Sequence, residues 1–121
     1  MAANEQGYRA DAKWLIGSPS KIRPVADLVR MRPYPEAIAV LEHMPHKGAR
    51  LIKKVVASAA ANALNLNKKL DEDMLYIKEL RIDEGPRMRR VWFRARGRAD
   101  MQLKRMCHIS CVIAEIGKVE A

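Results

Sequence analysis

The spacing of apolar residues along the chain predicts a first strand followed by a helix. Small or apolar residues at every second position from Gln6 to Ile16 alternate with polar ones, which is typical of a strand. Residues 17–20 interrupt this alternation, and Ser18 or Ser20 can cap a helix that runs to about Arg30. The positions of the strand predicted to share one face are Tyr8, Ala10, Ala12 and Trp14.

Two further helices are predicted before the acidic turn at 71–73. A short helix is expected from Pro35 to about His43, and the strongest helical pattern runs from Lys47 to about Leu66. Pro24 is expected near the first turn of the first helix, where its missing N–H costs least. The apolar face of the long helix is predicted to consist of Ile52, Val55, Val56, Ala59, Ala63 and Leu66.

The second half of the chain predicts two collinear strands joined by a long hairpin. One strand begins at Leu75 with imperfect alternation, a bend is expected at 85–86, and another strand covers Met101 to Ile116. The hairpin between them has its tip around 91–96 and projects about 30 Å if each side has about ten residues. The predicted fold class is α+β: a small three-stranded antiparallel sheet packed with three helices, plus a long extended β-hairpin arm. We expect one domain over 1–121, with the arm at 83–104.

Positive charge is concentrated in this arm and at its base. The chain has 23 Lys and Arg against 14 Asp and Glu, a formal net charge of +9. Residues 87–105 contain eight basic side chains and a single acidic one, Asp100, so they carry most of the excess. Such a segment repels itself unless an anionic partner neutralises it. Arginines that flank Trp92 and Phe93 favour RNA, because guanidinium groups grip phosphates and aromatic rings stack on bases.

Residue types that perform catalysis or bind metals are present without the spacing those sites need. Cys107 and Cys111 lie about 13 Å apart if they share a strand, too far for a disulfide, and His108 would face away from both. The carboxylates at 71–73 are best explained as a solvated turn. We therefore predict no active site, no metal and no cofactor. The chain has no apolar run long enough to cross a membrane and no secretion signal at 1–6, so we expect a cytoplasmic protein.

Several motifs, in the same order and covering nearly the whole chain, resemble the family of ribosomal protein twenty-two of the large subunit. The helix motifs are SPSKIRPVADLVR at 18–30, KKV at 53–55 and SAAANA at 58–63. The hairpin motifs are IDEGP at 82–86, RARGRAD at 94–100, KR at 104–105 and HI at 108–109. The chain departs from the family pattern at Trp92, at Phe93, where proline is common, and at Met31, where the family often has glycine.

The resemblance implies a structural constituent of the large ribosomal subunit, with a hairpin that lines the nascent peptide exit tunnel. It implies large-subunit ribosomal RNA, neighbouring ribosomal proteins and the nascent polypeptide as partners, and a role in subunit assembly. The residues expected to bind ribosomal RNA are Arg9, Lys13, Ser18, Lys21, Arg23, Arg87, Arg89, Arg90, Arg94, Arg96, Arg98, Lys104, Arg105 and His108. The residues expected to line the tunnel at the hairpin tip are Met88, Arg89, Arg90, Val91, Trp92, Phe93 and Arg94.

Two other functions fit parts of the sequence. A free-standing RNA chaperone or regulator would use the same basic arm without entering the ribosome. A small enzyme would need His108 together with the carboxylates at 71–73, which no recognisable catalytic motif accompanies.

Overall fold

The computed structural model describes residues 7–116. Gln6, where the predicted first strand begins, lies outside the described residues. The elements are β1 (Tyr8–Ile16), α1 (Pro19–Val29), α2 (Tyr34–His43), α3 (Lys47–Leu66), β2 (Leu75–Glu84), β3 (Met88–Phe93), β4 (Ala99–Lys104) and β5 (Met106–Glu115), with short 3-10 turns at Glu72–Met74 and Ala95–Gly97.

The core sheet has three antiparallel strands in the order β1-β5-β2, with β5 in the centre. Its buried side chains pack against the buried faces of the three helices in one continuous apolar cluster. β3 and β4 form a separate two-stranded sheet. The predicted α+β class, with three helices, a three-stranded antiparallel sheet and a hairpin, is confirmed.

Two bulges explain why alternation along β1 and β2 is imperfect. In β2 the pairing with β5 shifts at Lys78, so that Leu75 and Ile77 are buried before it and Leu80 and Ile82 after it. In β1 the shift falls between Ala12 and Leu15.

The bulge in β1 overturns one sequence prediction. Trp14 was expected to share the face of Tyr8, but it has a positive φ of 64° and its side chain is exposed. An extra residue in the strand inverts every later side chain, and alternation alone does not reveal where that residue lies.

Proline positions in α1 also differ from the prediction. The helix begins at Pro19, at the first helical position, where a missing N–H is harmless. Pro24 consequently lies inside the helix rather than near its first turn. The helix nevertheless continues, because its buried residues Ile22, Val25 and Val29 hold it against the core.

Met31 occupies a turn position that suits glycine. Its φ is 64°, its side chain is exposed, and its N–H donates to the Ile77 carbonyl oxygen at 2.9 Å. The Ile77 N–H in turn donates to the Arg32 carbonyl oxygen at 3.0 Å, so the turn is tied to β2. The left-handed conformation costs a side-chain-bearing residue about 1–2 kcal/mol.

We expect Met31→Gly to stabilise the protein. Relief of the left-handed strain exceeds the entropy cost of glycine, so the free energy of unfolding should rise by about 0.5–1 kcal/mol. Thermal unfolding would then shift upward by about 2–4 °C. Met31→Ala, which keeps a Cβ, is the control and should show no gain. A lower melting temperature for the glycine variant would contradict this account.

Both cysteines are buried in β5, on its core side. Burial raises the pKa of the Cys107 thiol, opposed by Lys47. Burial, aided by Asp11 and Glu79, raises the pKa of Cys111 from 9.0 to about 12. The folded state therefore favours the protonated thiol.

We expect neither thiol to react with an aromatic disulfide reagent at pH 8 in the native protein, because the thiolate is the nucleophile. Both should react after denaturation. The folded state keeps the Cys111 proton to a higher pH than the unfolded chain does. The free energy of unfolding should therefore be unaffected by this thiol below about pH 9 and fall between about pH 9 and 12. Rapid labelling of the native protein at pH 8 would show that β5 opens readily.

The arm leaves the core sheet through an irregular junction. Glu84 pairs with Cys107 and Met88 with Lys104, so three residues on one side oppose two on the other. The Gly85 N–H donates to the Met106 carbonyl oxygen at 2.8 Å, and Pro86 has no N–H to continue the ladder. The sequence predicted an irregularity at 85–86 within a continuing strand, but β2 ends at Glu84 and β3 begins at Met88. The strand predicted over Met101–Ile116 is likewise divided at Arg105 into β4 and β5, which belong to different sheets.

Candidate nucleic-acid interface

The distal hairpin, residues 88–104, is the most exposed and most basic part of the described structure. β3 and β4 pair along their full lengths, from Met88 opposite Lys104 to Phe93 opposite Ala99. All side chains from 89 to 104 are exposed. A two-stranded sheet of this kind is marginally stable alone in water, so it is suited to becoming fixed by a partner.

The turn of the hairpin lies at 94–98, further along the chain than the predicted 91–96. The Arg94 N–H donates to the Arg98 carbonyl oxygen at 2.7 Å, and Arg96 and Gly97 have φ values of 61° and 72°. These two left-handed residues reverse the chain, whereas Trp92 and Phe93 are extended strand residues.

The corrected turn changes the positions of several predicted tip residues. Met88, Arg89 and Arg90 lie at the end of the distal hairpin nearest the core, opposite Lys104, Leu103 and Gln102. Arg98 belongs to the turn. The assignment of Met88–Arg94 to a tunnel wall remains a prediction.

The two sheet faces of the distal hairpin differ chemically. One face presents the rungs Arg89–Leu103, Val91–Met101 and Phe93–Ala99. We call it the apolar face. The opposite face presents the rungs Met88–Lys104, Arg90–Gln102 and Trp92–Asp100. The adjacent rings of Trp92 and Phe93 therefore point in opposite directions.

Most cations of the arm form no ion pair with an acidic side chain among residues 7–116. Arg94 is the exception: its Nε lies 2.6 Å from Asp100 Oδ2, and its guanidinium lies 5.8 Å from the centre of the Trp92 ring. Arg87 is only 4.0 Å from Glu84, at the limit of an ion pair. In the arm and at its base, the basic side chains with no ion pair to a described residue are those of Arg89, Arg90, Arg96, Arg98, Lys104 and Arg105.

Three predicted RNA-binding residues of the core also have protein partners. Arg23 donates through Nε and Nη2 to the Ile82 carbonyl oxygen at 3.2 and 3.1 Å. The Trp14 N–H donates to His108 Nδ1 at 3.1 Å, and the two rings meet edge to face. Arg9 lies 3.1 Å from Asp11.

The Arg9–Asp11 pair affects the ionisation of the acid. Burial raises the pKa of Asp11, but hydrogen bonds from Arg9 and Ser110 outweigh it, so the pKa lies below its ordinary value. Asp11 therefore neutralises part of the charge that Arg9 would offer to a phosphate. Lys13 is exposed, without an ion pair to a described residue.

A small cavity lies where α1 and α3 begin, beside the base of the arm. Its volume is about 190 Å³, and the Gly17 N–H nearby donates to the Arg105 carbonyl oxygen at 3.0 Å. The predicted residues Ser18 and Lys21 line it. Its lining also includes His46 and Lys47, which the sequence analysis did not select. Only the packing of α1 against α3 brings the two pairs together, so no local motif could have identified them.

Residues 7–116 contain no cluster of three or more His, Cys, Asp or Glu side chains that could hold a metal ion. None of the described helices is both long and apolar enough to cross a membrane.

Comparison with known proteins identifies the family to which this chain belongs. A model of the family described as Ribosomal protein L22p/L17e matches residues 10–114. The chain belongs to this family of ribosomal proteins. Family membership confirms the resemblance seen in the sequence, and it makes the chain a structural protein rather than an enzyme.

Relatives from Treponema and Borrelia species align over most of their length. A Treponema denticola protein is 62% identical over 109 residues, 90% of this chain and 92% of its own. A Treponema pallidum protein is 57% identical over 108 residues, 89% and 87% of the two chains. One from Borrelia hermsii is 50% identical over 108 residues, 89% and 90% of the two chains. Each is named large ribosomal subunit protein uL22.

Proposed function

We propose that this chain is a structural constituent of the large ribosomal subunit, binds ribosomal RNA, assists subunit assembly and lines the nascent peptide exit tunnel with its hairpin. The RNA-binding part of the proposal is supported by the positive charge of the arm, most of which no described acidic side chain neutralises. Six basic side chains there have no ion pair with a described residue. Folding leaves their charge exposed, so the partner must supply the negative charge.

Ribosomal RNA fits this surface better than an acidic protein does. The exposed cations extend from Arg105 at the base to Arg96 in the turn, along a hairpin that presents side chains in two opposite directions. A thin basic projection of this kind can be surrounded by phosphates on several sides. Lys21 and Lys47, which line the cavity at the start of α1 and α3, extend the positive charge onto the globular part.

Family membership and the shape of the arm support the proposed tunnel-lining role. The turn at 94–98 is the part of the distal hairpin furthest from the core sheet along the chain. If RNA surrounds the strands, the turn is the part free to reach the tunnel and the nascent polypeptide. Neighbouring large-subunit proteins are further proposed partners. A protein of the large subunit works in the bacterial cytoplasm, which is the location predicted from the sequence.

Sedimentation tests the proposal and separates it from the free-standing RNA chaperone. An epitope-tagged chain should sediment with large subunits, at one copy per subunit, after a moderate-salt wash. Arg96→Glu/Arg98→Glu should reduce its occupancy. The matched control is Lys68→Glu/Lys69→Glu, the same charge change before the start of β2, at the other end of the core sheet from the arm. Recovery of the wild-type chain outside ribosomal particles would support the chaperone instead.

A further inference from the structure

We propose that the apolar face of the distal hairpin is a platform on which unpaired nucleobases of ribosomal RNA stack. This inference rests on the proposed function and specifies which surface of the arm contacts bases rather than phosphates. The platform consists of Val91, Phe93, Met101 and Leu103 on two neighbouring strands.

The four apolar side chains of the platform are largely exposed to solvent. Phe93 is 81% exposed, Met101 61%, Val91 54% and Leu103 39%. Their rungs lie about 7 Å apart on strands about 5 Å apart, so the four side chains form one contiguous surface. Contiguous exposed apolar surface of this kind marks a binding site.

Charge around the platform favours nucleobases over a polypeptide. Arg89 lies on the same face, and Arg96 and Arg98 lie beyond Phe93 in the turn, all without an ion pair to a described residue. The only carboxylate in the distal hairpin, that of Asp100, is on the opposite face and is held by Arg94. The suitable ligand therefore combines flat apolar rings with regularly spaced negative charges, which is the chemistry of unpaired RNA.

Trp92 does not belong to this platform. Its ring is on the other face, beside the Arg94 guanidinium that Asp100 fixes. The ion pair between Arg94 and Asp100 lies where the strands meet the turn. The two neighbouring aromatic residues thus have different tasks, and contact with the tunnel is left to the turn and the face of Trp92.

Binding of the full chain to a large-subunit ribosomal RNA transcript tests the platform. Phe93→Ala should weaken binding about tenfold, the lower part of the range for loss of one base stack. The dependence of affinity on salt should keep its slope, because no phosphate contact is lost. Phe93→Tyr should restore affinity, and neither change should alter thermal unfolding, since the ring is exposed.

The controls separate this inference from the proposed function. Trp92→Ala, on the opposite face, should weaken binding less than Phe93→Ala. If the wild-type chain binds the transcript with a steep salt dependence but Phe93→Ala binds equally well, the platform is wrong and the proposed function stands. If the wild-type chain does not bind the transcript, the proposed function fails.

Crosslinking in assembled subunits identifies the occupant. A benzophenone side chain placed at position 93 or 101 of the full-length protein should crosslink to ribosomal RNA in large subunits, with and without a nascent chain. Crosslinks to the nascent chain or to another protein in place of RNA would overturn the inference. Absence of RNA crosslinks at both positions would overturn it as well.

Discussion

Raising the salt concentration fourfold should weaken binding of this protein to the proposed RNA partner by about 300-fold. Each phosphate contact to non-duplex RNA contributes about 0.7 to the slope of log affinity against log salt. The six unpaired cations at 89, 90, 96, 98, 104 and 105 therefore predict a slope near −4. Filter binding to a large-subunit RNA transcript across a salt series measures this slope.

Variants of the arm determine which cations account for the slope. Arg96→Ala/Arg98→Ala should make it shallower by about 1.4. Lys68→Ala/Lys69→Ala removes the same charge away from the arm and should leave the slope unchanged. Arg94→Ala/Asp100→Ala removes an existing ion pair without changing the net charge, so its slope should also stay close to that of the wild type. Equal slopes for all three variants would show that the arm does not make the electrostatic contact.

Ile109→Ala should lower the free energy of unfolding by about 3 kcal/mol, within the range for truncation of a buried isoleucine. Ile109 is fully buried on β5, opposite Ala12 on one neighbouring strand and Ile82 on the other. Its loss leaves a cavity at the centre of the sheet that the paired strands cannot close. Thermal unfolding should shift downward by about 10 °C or more.

The same substitution at an exposed position is the matched control. Ile16 is 53% exposed at the end of β1, so Ile16→Ala should change stability by no more than about 0.5 kcal/mol. Calorimetry or urea titration of the two variants measures the difference. Similar losses from both would mean that the centre of the sheet repacks around the cavity.

Elements whose burial pattern is regular could be predicted from the sequence. The long helix α3 has the predicted bounds, because Ile52, Val56 and Ala63 repeat at helical spacing and are buried. Leu66, predicted on the same face, is exposed at the last turn. The strands of the core sheet were predicted approximately, but the points at which their inward faces change were not. The bulges at Lys78 and between Ala12 and Leu15 are set by pairing with β5, which involves residues far away in the chain.

The sequence predicts the positive charge of the candidate site, but not which of its side chains lie close together. The concentration of arginines between 87 and 105 is visible in the sequence. Which of them are neutralised depends on the turn, because the left-handed Arg96 and Gly97 place Asp100 within reach of Arg94. The sequence likewise does not show that Trp92 and Phe93 lie on opposite faces of the hairpin, which only the strand pairing reveals.

The connection of the arm to the core through both β2 and β5 has a mechanical consequence. A force that pulls on the turn draws these two strands in the same direction, so the rungs between them are not displaced against each other. The load passes instead to the ladder between β5 and β1, where it acts along the strands. Hydrogen bonds loaded in this shearing direction resist together, whereas a peeling force breaks them one after another. The globular part can therefore hold the arm under tension without unzipping.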